Sequence, residues 1–134
     1  MNYYLLVLKK YAVFDGRAQR AEYWYFCLFN IIISLILSIL GKAIGVFNVT
    51  IGTTGNETNI LSIIYSLAVL IPGLAVSFRR LHDVGKSGWM LLIVLIPIIG
   101  VIWLLVLLAR DSDPGDNRYG PNPKVVAVAA PITV

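Results

Sequence analysis

The sequence predicts an all-α integral membrane protein with three transmembrane helices and a short N-terminal interfacial helix. Hydrophobic residues fill 58% of its 134 positions and charged residues 13%, where a soluble domain carries roughly 25% charge. Three long uncharged runs, opening near Tyr23, Ile60 and Trp89, divide the chain. Lysine and arginine flank these runs, as they do where a helix meets headgroups. The length fits a single membrane domain over residues 1–124, with spans at about 23–45, 60–78 and 89–109 and a flexible tail at 125–134.

Residues 2–14 are apolar but interrupted by Lys9 and Lys10, and are too short to cross a bilayer. Their charges follow the apolar stretch, whereas a signal peptide puts them first, and no small-residue cleavage pattern is present. An interfacial helix with Tyr3, Tyr4 and Tyr11 at the polar boundary is expected. Asp15-Gly16 breaks it, with Asp15 a candidate cap for the next helix.

The first span enters the membrane through Tyr23, Trp24 and Tyr25, an aromatic belt. Ser34 and Ser38, then Gly41 and Gly45, fall on one face and let another helix of the chain approach. Asn30 is the most polar group in the run and is expected to hydrogen-bond a neighbouring helix. Residues 46–59, rich in Gly, Thr and Asn, read as a loop. Its Asn-x-Thr matches at Asn48 and Asn56 are common by chance.

In the second span Pro72 removes one backbone hydrogen bond, which a neighbour must replace. The 21 residues from Trp89 to Ala109 give one crossing of about 31 Å, disturbed at Pro97 and Gly100. The Pro/Gly-rich tail is expected to be irregular and its last ten residues mobile.

Seven lysines and arginines lie in the N-terminal flank and in the turn between the second and third spans. Lys42, Arg110, Arg118 and Lys124 then fall on the other side. The charge bias predicts a cytoplasmic N-terminus and a periplasmic or extracellular C-terminus. The net charge of +4 and pI near 9.4 are thus topological, and the basic residues form no single soluble face for nucleic acid.

With that topology Arg17, Arg20 and Glu22 converge on Arg79, Arg80, His82, Asp83 and Lys86 at the cytoplasmic face. Arginines there suit bidentate contact with the phosphate of anionic headgroups. The competing reading is that they are snorkelling anchors and an interhelical salt bridge.

Sharper chemistry is not supported. Gly85-Lys86-Ser87 resembles the end of a phosphate-binding loop, but Arg80 occupies the position that needs glycine. Gly85 instead suits positive φ at a helix end, with Ser87 capping the next helix. His82 and Asp83 are adjacent and point apart, with no nucleophile placed beside them. One histidine and Cys27 make no metal site, and Asp111, Asp113 and Asp116 lack the glutamate of a calcium loop, where Asn122 stands. Neither a cofactor nor a metal is expected.

GRAQRAEYWYF, RRLHDVGKSGW, IPIIG and GDNRYGPNP occur in that order over residues 3–124. On these motifs the chain resembles domain-of-unknown-function family 805, small bacterial inner-membrane proteins. Gln19 and Met90 depart from the arginine and tryptophan frequent there. The resemblance implies a multi-span helical protein of the plasma membrane and carries no enzyme activity. If GDNRYGPNP joined RRLHD in one site, the tail would be cytoplasmic, against the charge count.

The expected function is therefore a structural or accessory membrane protein, not an enzyme, whose basic face contacts anionic lipid headgroups or a partner, including a second copy. A subunit of an oligomeric small-solute or ion transporter and an enzyme acting on lipid phosphates are the alternatives.

Overall fold

A computed structural model describes residues 2–45, 48–51 and 56–129. Two long helices form its frame: α2, Arg20–Ile44, and α3, Ile60–Asp83, each apolar and long enough to cross a membrane. At 1.5 Å per residue they reach about 36 Å, enough for the hydrocarbon core and one headgroup layer. α2 begins three residues before the expected span, and α3 runs on through the charged cluster to Asp83.

Helix α1, Tyr3–Lys9, packs against α2. Tyr3 stacks on Tyr25 and Tyr4 on Phe26, while Val7 is fully buried with Ala18, Phe26 and Val76. Such aromatic pairs add to the apolar burial that holds α1 on α2. Asn2 caps α1 by accepting from the Leu5 amide at 3.3 Å. Asp15 caps nothing: Gln19 precedes α2 without a side-chain bond, and Asp15 is exposed.

Asn30 reaches the neighbouring helix as expected, accepting from the Tyr65 hydroxyl, which also lies 3.0 Å from that of Tyr4. Pro72 cannot bond the carbonyl one turn before it, that of Ala68. The Tyr11 hydroxyl donates to that oxygen at 2.6 Å, the replacement the membrane requires.

The segment read as a loop contains an antiparallel pair, β1, Asn48–Ile51, and β2, Asn56–Asn59, with Asn48 opposite Asn59. Three β-branched or apolar residues in β1 suit the pairing that Gly and Asn content obscured. The turn between the strands lies outside the described residues. Asn59 ends β2, accepts from the Leu61 amide at 2.8 Å to cap α3, and donates to the Leu37 carbonyl. It lies over Gly41, where a Cβ would fall 1.5 Å from its amide nitrogen, so the small residue is used for packing within the chain.

α3 ends in a Schellman motif: Gly85, at φ 71°, donates to the His82 carbonyl and Lys86 to that of Leu81. Ser87 then accepts from the Trp89 amide. The third apolar run is not one continuous helix. It forms a 3₁₀ helix, Gly88–Leu95, a reversal at 96–98, and α4, Ile99–Ala109. The legs have similar reach, about 16 Å each at 2.0 and 1.5 Å per residue, roughly half of a 30 Å core.

The legs touch closely, since a Cβ on Gly100 would lie 1.8 Å from the Ile93 carbonyl oxygen. Leu104, Leu107 and Leu108 pack on Leu81 beside Met90 and Leu91. Both legs therefore end beside the C-terminus of α3. The tail follows on that same end, where the Asp113 amide bonds the Asp83 carbonyl. Residues 125–129 of the expected mobile segment lie in α5, Pro123–Ala129, and the final residues lie outside the described ones.

Candidate functional site: a buried charge network

The charged ends of α2 and α3, the segment before α2 and the tail close into one network. Asp83 is its centre. Its Oδ1 accepts from Arg17 Nε at 2.9 Å, and its Oδ2 accepts from Arg80 and from the Ser112 hydroxyl, the latter at 2.6 Å. Neither Arg17 nor Arg80 has free donors in number. Arg17 also donates to the carbonyls of Asp83, Asp113 and Gly115, at 3.3, 2.9 and 2.8 Å, and more weakly to that of Gly120. Arg80 bonds the carbonyls of Ala18, Leu108 and Arg110.

Arg80 thus ties the last turn of α4 to α3 by bonding carbonyls that a helix end leaves without partners. Burial lowers the cost of none of these charges by itself; each guanidinium is compensated by a carboxylate and by oriented carbonyl dipoles. Arg79 pairs with Glu22, donates to the Val13 carbonyl at 3.0 Å, and accepts at its own carbonyl from the Ala18 amide at 2.9 Å. Its Nη2 is buried and has no partner among the described residues.

His82 is turned away from Asp83. Its ring stacks on Tyr119 with centroids 3.9 Å apart and planes 4° apart, and its Nδ1 lies 3.1 Å from the Gly16 carbonyl. Asn117 donates to the His82 carbonyl at 2.9 Å, and the Asp113 amide to that of Asp83 at 2.9 Å. Gly85 leaves room for Asp113, whose Oδ2 would stand 2.5 Å from a Cβ there. The tail is thereby bound, residue by residue, over the end of α3.

Of the residues expected at one site, Arg17, Glu22, Arg79, Arg80, His82 and Asp83 come together and are buried. Arg20 and Lys86 do not join them. Arg20 is exposed, 3.6 Å from Asp111, and Lys86 is exposed at the turn. Asp111 also accepts from Lys124, a bond that, with the Ser112 amide, holds its carboxyl below the usual range. Asp116 accepts from the Asn122 amide, Asp113 bonds through its backbone amide and carbonyl, and no cluster of metal-ligating side chains occurs among the described residues.

The residues missed from the sequence are Ser112, Asn117 and Tyr119, together with the carbonyls of Gly115 and Asp113. The GDNRYGPNP motif was the available signal for them.

Chemically the network offers fixed charge whose guanidinium nitrogens, among the described residues, all meet protein oxygens except Arg79 Nη2. Two helices long and apolar enough to cross a membrane, joined at one end by buried ion pairs, mark an integral membrane protein. The family model described as "Protein of unknown function (DUF805)" matches residues 11–121, and the chain belongs to that family. It is similar to the Inner membrane protein YhaH of Escherichia coli (strain K12), 46% identical over 125 residues, 93% of this chain and 98% of the relative. It is also similar to the Inner membrane protein YhaI of the same strain, 41% identical over 124 residues, 92% and 97% of the two chains. No solved structure gives a significant match.

Proposed function

We propose that this chain is a non-catalytic accessory protein of the bacterial inner membrane whose N-terminus and tail are both cytoplasmic. Its motif arginines are a structural lock, and its headgroup contacts are made by a separate, exposed set of basic residues. The observation that carries this reading is the commitment of Arg17 and Arg80 to protein oxygens at every nitrogen. An enzyme gripping a lipid phosphate at that cluster would need those donors open.

The placement of the remaining charge supports the cytoplasmic side. With the hairpin returning, every lysine and arginine except Lys42 falls at the charged end of the helix pair. That asymmetry is much steeper than three crossings would give, and the excess belongs inside. Lys9, Arg20, Lys86, Arg110 and Arg118 are exposed there, beside Trp24 and Trp89. Each basic residue near an anionic surface adds about 1 kcal/mol of attraction.

The test is retention of lipid by purified protein in nanodiscs of mixed phosphatidylcholine and phosphatidylglycerol, read by native mass spectrometry. Replacing Lys86, Arg110 and Arg118 by glutamine is expected to reduce bound phosphatidylglycerol several-fold and leave phosphatidylcholine unchanged. Equal retention by the wild type and this variant contradicts the reading.

A further inference from the structure

The hairpin tip places non-helical backbone where a bilayer does not tolerate it. Ile98 has φ 65° and ψ −69°, and the Ile99 amide bonds the Pro97 carbonyl at 2.8 Å. This is a γ-turn of the rare, strained hand, centred on a β-branched residue that strongly avoids positive φ. Among the described residues the Ile98 amide and the carbonyls of Val94 and Leu95 have no hydrogen-bond partner. Leu95, Ile98 and Ile99 are 76%, 75% and 72% exposed.

With legs of about 16 Å the tip stands near the bilayer midplane. Backbone polar groups at that depth must meet protein or a water-filled cavity, not acyl chains. Strain of this kind persists only where the surroundings over-determine it, and nothing in a single chain surrounds the tip.

The same chain offers a matching surface. Between α2 and α3 runs a groove of about 510 Å³ whose lining includes Cys27, Asn30, Ser66, Gly73 and Leu74. Asn30 and Gly73 each stand ten residues from the charged end of their helix, about 15 Å in depth, level with the tip. The Asn30 amide uses one hydrogen on the Phe26 carbonyl and keeps another. A donor for the Leu95 carbonyl is thus present at the depth of the tip.

We infer that residues 95–99 of one copy seat in the α2–α3 groove of a second copy, so that two identically oriented chains form a two-fold dimer within the membrane. The symmetry closes, because each copy supplies one tip and one groove. This inference stands apart from the proposed headgroup role and survives its failure.

The native Cys27 sits in the groove, half-buried and free, and makes the test direct. Native membranes carrying Ile98→Cys are treated with a hexane-bridged bis-maleimide and run on a denaturing gel. A covalent dimer that disappears when Cys27→Ser is added is the expected result. Absence of the dimer, or a dimer that persists without Cys27 and so joins tip to tip, overturns the assignment. If Ile98→Cys fails to insert, the wild-type chain fused to a fluorescent protein decides by photobleaching in dilute liposomes: two steps are expected, and single steps throughout refute the dimer.

Discussion

Arg17 and Asp83, 66 residues apart in sequence, meet at 2.9 Å with both side chains almost wholly buried. Removing one member of a buried pair leaves the other uncompensated, at about 3–5 kcal/mol. Asp83→Asn is therefore expected to lower stability by that amount, since two guanidiniums depend on its carboxylate. Arg17→Lys is expected to fall nearly as far, because an ammonium does not reproduce a planar fork that bonds a carboxylate and several carbonyls at once. Thermal unfolding in detergent, followed by tryptophan fluorescence, measures both. Loss of less than about 1 kcal/mol in each, the range of a surface pair, means the network is not buried in solution.

A second prediction concerns Tyr11, which bonds the carbonyl that Pro72 leaves free. Tyr11→Phe strands that oxygen and is expected to destabilise by about 1–3 kcal/mol. In a Pro72→Ala background the restored amide takes the Ala68 carbonyl, and Tyr11→Phe becomes nearly neutral. The coupling in that double-mutant cycle is the measured quantity; additivity of the two changes contradicts the assigned bond.

Two glycines of similar setting are expected to respond differently. At Gly100 a Cβ meets backbone oxygen at 1.8 Å, so alanine forces the hairpin legs apart, at about 1–3 kcal/mol. At Gly73 a Cβ meets only the Phe26 ring at 3.7 Å, ordinary contact, and alanine is tolerated. Unfolding temperatures of Gly100→Ala and Gly73→Ala separate them, and equal effects remove the argument for closely packed legs.

The two long helices and the chemistry of the charged rim were legible because both depend on one-dimensional features, run length and flanking charge. The hairpin was not: 21 uncharged residues have the same hydropathy whether they cross or turn back. Pro97 and Gly100 marked the disturbance, but a γ-turn at Ile98 contradicts local propensity and leaves no pattern to read. Charge counting assigned Arg110, Arg118 and Lys124 to the far side because it assumed a third crossing, whereas the structure sets the tail against the end of α3. The tail's role escaped for a different reason. Arg17 is held by the carbonyls of Asp113 and Gly115, and backbone acceptors are the same in every sequence. Only the family resemblance, which rests on GDNRYGPNP together with RRLHD, pointed to the two belonging together.

The side of the membrane reached by the tail tests the whole account most directly, since the returning hairpin, the buried lock and the one-sided charge all require it to share a face with the N-terminal flank. Fusions of a fluorescent protein and of alkaline phosphatase after Val134 report it in intact cells. Bright fluorescence with inactive phosphatase is predicted. Active phosphatase with dark fluorescent protein contradicts the returning hairpin and restores a third crossing.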